Sequence, residues 1–470
     1  MHPILFKIPL PHWKLPMVGE MHAFPIYSYG VMLGLSLIVG WYLSLTLAKN
    51  DGLPREAMAN NYIFTAIMAI VGSRLLYVVT NLDEMKTWRE IFAIRSGGLV
   101  AYGGFLGGFL GSWIYCARKK IRLMAWADVA VPSLASGLMI TRVGCYLFGC
   151  DFGKPLGEHA PAFLKKLGTF PEWHYDYTTG KFLEPGSEEL YKASIDKGRN
   201  ILPGSPAWVQ HTQGNLLPSD VHHSLPVHPT QIYESLAGLL LLSMLFWARH
   251  DIKRRQAEGK PFFRGELFVV FAFGYGVLRF LLEIVRDDAE RGQYGPAFEP
   301  HIIYPISLMA LALAFVFGLS NIFTEKHNVR TIVRSVAILV PFGVFLLMKP
   351  GQFQLPPPVQ LSTSQWVAVF TGVLAAAWYR IGRDHAQVDP VAAADLGEGV
   401  PELLEAEAAA EAGEGPGDEA KSERSEAREK GDEPEVAAEA AEQEVAHDAA
   451  HQADKPAGGD DKPVDEAAHD

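Results

Sequence analysis

Apolar runs of membrane length recur along this chain, with polar residues gathered between them. About twenty consecutive apolar residues cross a bilayer as a helix. Runs of that kind predict helices at 27–48, 60–80, 98–117, 125–148, 230–248, 265–285 and 300–320, and two more at 332–348 and 364–380. The pattern is that of an all-α integral membrane protein, a seven-helix transmembrane core plus two additional C-terminal spans. The long polar stretch 149–229 interrupts it. Loops of such length are usually functional or form a small domain. The expected organisation is an N-terminal segment 1–26, spans 1–4 over 27–148, an arm or lid at 149–229, spans 5–7 over 230–320, two additional spans over 321–383 and a tail from 384 to 470.

Basic residues then orient the spans. Arg118, Lys119, Lys120 and Arg122 follow the third span, and Arg249, Lys253, Arg254, Arg255, Lys260 and Arg264 follow the fifth. Counting every span puts both loops on one side, together with Lys49, Arg55, Lys326, Arg330, Arg380 and Arg383. The opposite loops are mixed or acidic, with Asp83, Glu84, Asp287, Asp288 and Glu290. This bias predicts an extracytoplasmic N-terminus and arm and a cytoplasmic tail.

Composition separates two unlike parts. The chain has 470 residues and is 49% hydrophobic, yet its mean hydropathy is only +0.08. Residues after 383 are rich in Ala, Glu and Asp and supply much of the net charge of −12. Such a segment has too few large apolar residues to bury a core, and predicts disorder. The charge therefore says little about what the front part handles; no nucleic-acid partner is expected. Cys116, Cys145 and Cys150 are not a disulfide framework. A Cys145–Cys150 bridge requires Gly149 to break the helix. With no second Cys/His pair at suitable spacing, no metal and no cofactor are expected. The N-terminus shows no short basic region before a cleavable apolar stretch, so no signal peptide is expected.

Two arginines stand out against this background. Arg142 lies within the apolar run 129–148, and Arg279 lies within 267–285 with Glu283 one turn on. A charge at mid-bilayer costs roughly 2.5–3.5 kcal/mol on insertion scales. It persists where it pairs, faces a cavity or holds an anion. Arginine suits phosphate, through a planar fork that never loses its charge. The alternatives are snorkelling or an internal Arg279–Glu283 pair.

Several motifs surround them. SGGLVAYGGFLGG at 96–108 places Tyr102 among Gly98, Gly103 and Gly104; these glycines serve either close helix packing or a backbone beside a ligand. TRVGCYLFGCDFGKP puts Gly144, Gly149, Asp151 and Gly153 after Arg142, where a helix end exposes N–H groups to an anion. Asp151 reads equally as a base, an arginine partner or a helix-end residue. HPTQIYE begins the fifth span: a helix cap explains Thr230 and Gln231, whereas His228 has the chemistry of an acid or base. Tyr275, Arg279, Glu283 and Arg286 share one helix face. Arg74 and Tyr77 lie three apart in the second span, and YSYG with Tyr29 starts the first.

Together YSYG, GSRLLYV, SGGLVAYGG, TRVG, HPTQIYE and YGVLRFLLEIVR resemble, in order and spacing, bacterial phosphatidylglycerol–prolipoprotein diacylglyceryl transferase over roughly residues 20–320. The resemblance implies a multi-pass inner-membrane enzyme. It moves the diacylglyceryl group of phosphatidylglycerol to the lipobox cysteine thiol of a prolipoprotein, and glycerol 1-phosphate leaves. Its two phospholipid-holding arginines match Arg142 and Arg279, and the polar partner that follows falls on Glu283. Tyr29, Arg74, Gly98, Gly103, Gly104, Gly144, Gly153, Tyr275 and Arg286 complete the implied substrate-binding set. Some members carry His where this chain has Tyr102, so the thiol's base stays open between Tyr102, His228 and Glu283. The partners implied are phosphatidylglycerol, membrane lipid and signal peptides bearing a lipobox. A lipid or anion transporter without covalent chemistry is the rival reading.

Overall fold

The computed structural model describes residues 3–15, 19–84, 91, 98–176, 181–183, 201–202, 204–218, 221–287, 292–323, 327–348 and 357–411. All nine expected spans are helices: α1 (Ser28–Asn50), α2 (Arg55–Thr80), α3 (Ala101–Arg118), α4 (Leu123–Phe148), then, after two short arm helices α5 (Ala162–Leu167) and α6 (Pro206–Gln213), α7 (Thr230–Ala257), α8 (Glu266–Val285), α9 (Pro300–Phe317), α10 (His327–Met348) and α11 (Thr363–Val388). Seven helices of the described residues are long and apolar enough to cross a membrane. The chain is an all-α integral membrane protein. Its helices keep large apolar side chains on the outside, such as Phe105, Leu106 and Phe109 on α3, each about three-fifths exposed. A water-soluble surface does not carry apolar patches of that kind, whereas lipid covers them at no cost.

Packing follows the small residues. α2 lies along α3, α1 along α4, α4 along α7, and α8 along α11. At the α2–α3 crossing a Cβ on Gly103 would collide with the Gly72 carbonyl, and one on Gly107 with the Met68 carbonyl. Gly103 and Gly107 are thus required by backbone approach. Gly98 serves the turn before α3: its φ is +77°, and its Cα faces the Tyr77 ring.

Among the described residues, three small sheets decorate the helices. β1 (Ile4–Leu15) and β2 (Gly19–Tyr27) form an antiparallel hairpin that leads into α1. Within the arm, β3 (His174–Asp176) pairs with β4 (Lys181–Leu183) and β5 (Ile201–Leu202). β6 (Gln293–Phe298), after α8, pairs with β7 (Val359–Ser362), directly before α11. That last ribbon fixes the register of the start of α11 against the end of α8.

At the other end of the helices, charges hold the loops. Asp128 of α4 accepts from the Gly265 and Phe268 N–H groups, satisfying orphan donors at the start of α8. Arg249 makes two hydrogen bonds of 2.7 Å to Asp51, and Arg255 pairs with buried Glu266. Residues past 383 differ from the expected disordered tail. α11 continues to Val388, and α12 (Pro390–Ala394) and α13 (Val400–Glu411) follow. Leu396, Val400 and Leu403 pack on a cluster containing Leu53, Ala57 and Trp126, while Asp395 meets Arg122 at 2.8 Å. A few well-placed leucines, diluted in an acidic average, suffice for that seat. Contacts divide the chain into one compact unit over residues 1–407 and another from Ala408; the rest of the expected tail, from 412, lies outside the described residues.

Gly107→Val tests the α2–α3 crossing. Overpacking of this kind costs about 1–3 kcal/mol, more where backbone must separate. The expected result is a lower melting temperature of the detergent-purified protein; an unchanged melt would show that the crossing tolerates a side chain.

Candidate functional site

The site forms where α4, α7 and α8 end together. α4 stops at Gly149, whose φ of +91° makes it a left-handed C-cap. Two residues on, Asp151 also adopts a left-handed conformation, φ +56°, which Asp tolerates better than most side chains. The first turn of α7 holds this segment in place. The Thr230 hydroxyl donates to the Asp151 carbonyl, and the Gln231 amide donates to the Cys150 carbonyl. Both side chains are fully buried. They do not cap α7, contrary to the cap reading of the sequence, because the neighbouring loop offers buried carbonyls that need donors. Beyond Asp151, the Gly153 N–H donates to the His228 carbonyl at 2.9 Å and the Lys154 N–H to the Val285 carbonyl at 2.8 Å. A Cβ on Gly153 would press on the Val285 carbonyl and on His228, so glycine lets three helix ends meet.

Charges converge inside this junction. Glu234, one turn into α7 and 2% exposed, contacts three guanidinium groups: Arg142 through Nε, Arg279 at 2.9 Å and Arg286 at 3.1 Å. The Arg142 contact is an ion pair whose N–H is not aimed at the oxygen, for that carboxylate oxygen makes no hydrogen bond of good geometry. Asp151 bridges Arg142 and Arg286, at 2.6 Å to each. Glu283 meets Arg279 at 2.9 Å and accepts a 2.9 Å hydrogen bond from Ser362. Three arginines and three carboxylates thus balance in a place that apolar helices surround. Removing one partner from such a group leaves a buried charge uncompensated, at a cost of about 3–5 kcal/mol.

Arg142 and Arg279 keep about a fifth of their side chains exposed, whereas Arg286 is buried. The two more exposed guanidiniums face one recess, walled by Leu138, Tyr275, Leu278 and Leu282 with Glu234 at its back. Leu241 and Leu278 belong both to this recess and to an apolar groove of about 500 Å³ between α7, α8 and α9, which Trp247, Phe273 and Phe315 also line. The recess itself is small, about 10 Å³; a cationic recess beside an apolar groove carries the two chemistries of a phospholipid, anionic head and acyl chains.

The remaining sequence-predicted residues distribute around this centre. Tyr102 of α3 is partly exposed, and its hydroxyl lies 3.3 Å from Ser364, which accepts from Arg279 at 3.1 Å. Tyr29 lies at the start of α1, where its Cα faces Gly144 of α4. Gly104 packs on Ser73. Arg74 is committed to the segment before α3: it donates to the Ile91 and Gly98 carbonyls at 2.9 and 3.0 Å and stacks on Tyr77. His228 lies outside the spans, its ring nitrogen 3.3 Å from the Tyr233 hydroxyl. Burial, then Lys154, push its pKa below the ordinary value, so it is neutral at neutral pH.

Sequence reasoning did not single out Glu234, Ser362 or Ser364, and left Asp151 among three roles. One available signal was charge balance, because three arginines at one depth require more than Glu283. Cys145, Cys150 and Asp151 bring donor atoms within 4.8 Å of one another. The hydrogen bond with Cys145, burial and Asp151 push the Cys150 pKa up, which keeps it a neutral thiol. Both Asp151 oxygens already serve arginines, whose charge opposes a cation there.

The sequence profile of the family described as prolipoprotein diacylglyceryl transferase matches residues 16–324. Similar proteins named phosphatidylglycerol–prolipoprotein diacylglyceryl transferase include one from Clostridium tetani, 28% identical over 273 residues, covering 58% of this chain and 86% of that protein. Another, from Bacillus cytotoxicus, is 26% identical over 297 residues, covering 62% and 87%. A third, from Rhodopirellula baltica, is 25% identical over 361 residues, covering 64% and 73%. The matched residues contain the whole arginine–carboxylate junction, and the chain belongs to the prolipoprotein diacylglyceryl transferase family.

Proposed function

We propose that this chain transfers the sn-1,2-diacylglyceryl group of phosphatidylglycerol to the lipobox cysteine thiol of prolipoproteins, the first step of lipoprotein maturation. The observation that carries this reading is the recess faced by Arg142 and Arg279 beside an apolar groove. The names of the relatives supply the reaction class. The enzyme works as a multi-pass protein of the bacterial inner membrane, with its N-terminus and arm outside and its C-terminal part in the cytoplasm.

The nucleophile belongs to the substrate. A thiol attacks well only as thiolate. Its sulfur forms a bond to C3 of the diacylglyceryl unit, the C3–O bond to phosphate breaks, and glycerol 1-phosphate leaves with the electron pair. Charge grows on the departing phosphate oxygens. Arg142 and Arg279 stabilise it with charged donors already held in place, so little reorganisation remains at the moment of reaction. Tyr275, which lines the recess, and Tyr29 add hydrogen-bond donors. Arg286 stays with Glu234 and Asp151 and braces the junction. Of the three candidate bases, Glu283 is spent on Arg279 and Ser362, and His228 turns to Tyr233. Tyr102 is the one linked to Arg279 through a single hydroxyl, and we assign it the thiol proton.

Complementation tests the reaction: the chain is expressed in cells whose own diacylglyceryl transferase is switched off, and one lipoprotein is followed by mass. The diacylglyceryl-modified form is the expected product. Persistent precursor, with the protein in the membrane, would sink the assignment. Chase of labelled phosphatidylglycerol separates transfer to cysteine from lipid movement.

Arg142→Ala and Arg279→Ala should each lower turnover by about 10²–10³-fold, the usual loss for one transition-state donor. Near-normal turnover by either folded variant would remove that arginine from the mechanism. Glu234→Gln should affect folding as well as rate, with a loss of about 3–5 kcal/mol as three guanidiniums lose their shared carboxylate. A thermal melt in detergent reads this directly, and a wild-type melt would contradict the central place given to Glu234.

A further inference from the structure

The family match ends at residue 324, yet a side chain from beyond it touches the reactive arginine. The start of α11 brings two serines to the site. Ser362 donates to Glu283 at 2.9 Å, and Ser364 accepts from the Arg279 Nη2 at 3.1 Å while lying 3.3 Å from the Tyr102 hydroxyl. Arg279 therefore has Glu234 on one nitrogen, and Glu283 with Ser364 on the other. One of these three partners, Ser364, comes from a helix beyond the family match.

Several independent features set the position of these serines. Ser362 forms a capping box with Gln365, which fixes the first turn of α11. Immediately before it, β7 pairs with β6, with Gln293 opposite Ser362 and Tyr294 opposite Leu361. Along the helix, Gly276 of α8 leaves no room for a Cβ against the Ala368 carbonyl, so α11 lies close to the helix that carries Arg279 and Glu283. Cap, ribbon and close packing all serve the same few residues.

We propose that Ser364 is a positioning residue for the transfer reaction, tying Arg279 to Tyr102, and that α11 is thereby part of the active site. This rests on the assignment of Arg279 to the phosphate. A serine hydroxyl has one hydrogen. While it accepts from Arg279 it keeps that hydrogen to donate, and the Tyr102 oxygen, 3.3 Å away, accepts it when Tyr102 is the phenolate. The Tyr102 oxygen then receives a hydrogen bond polarised by the guanidinium, which stabilises the phenolate that must take the thiol proton; Tyr102 leaves the step as the neutral phenol and the thiol as thiolate. The same contact restrains the guanidinium plane, which must match the phosphate oxygens. Ser362 acts one step further out, by orienting Glu283.

Full-length protein in detergent, assayed with phosphatidylglycerol and a lipobox peptide, provides the test. Ser364→Ala should lower kcat roughly tenfold, as expected for losing one hydrogen bond to a charged group. KM for phosphatidylglycerol and the melting temperature should stay near wild type. Ser364→Thr, which keeps the hydroxyl, should restore most of the rate; a purely structural role would not separate kcat from the melt in this way. Wild-type kcat and KM for Ser364→Ala beside an inactive Arg279→Ala would overturn the proposal and leave the arginine assignment standing. An Arg279→Ala protein with normal turnover would remove the arginine assignment itself and this proposal with it. Activity lost in step with folded protein, and not recovered by Ser364→Thr, would also overturn it.

Discussion

Glu234 is the carboxylate on which the site depends. It is buried near the start of a membrane helix and meets three arginines from two other helices. Where water is scarce a charge is tolerated only when matched, so the three guanidiniums could not gather without it. Glu283 and Asp151 complete the balance. The result fixes α4, α7 and α8 relative to one another through charge, as Arg255–Glu266 and Asp128 do at their other ends, whereas α2 and α3 meet through glycine.

That constraint explains several local oddities. Asp151 accepts an unusual backbone conformation because both its oxygens are needed by arginines and its carbonyl by Thr230. Gly153 is required because the Val285 carbonyl and the His228 and Thr230 side chains lie too close for a Cβ. HPTQIYE contributes buried hydrogen bonds to the loop after α4 and the central carboxylate, rather than a cap. Arg279 lies within α8, but Arg286 lies just past its end in extended backbone and does not share the helix face expected from spacing: it is locked inside the junction, whereas Arg279 reaches the recess.

The part of the chain beyond the family match is integrated in two ways. α11 lies against α8 and carries serines to Glu283 and Arg279. Past it, α12 and α13 lay leucines and an aspartate against the loops between the early spans. Both contacts use ordinary side chains at unremarkable spacing, which is why neither is visible in composition.

The sequence alone determined the membrane class and all nine helices, because the length and hydropathy of each run are local properties set by the bilayer. It also exposed Arg142 and Arg279, since a permanent charge in an apolar run is too costly to be incidental. It did not single out Glu234, because an acid near a helix start looks like an interfacial residue. It left the glycines of α3 between packing and binding until the Gly72 and Met68 carbonyls stood opposite them. Only tertiary structure decided which residues share a site, because pairing among Arg142, Asp151, Glu234, Arg279, Arg286 and Ser364 joins positions far apart in the chain. Burial and electrostatic balance are properties of the packed helices together, and no single run of sequence contains them.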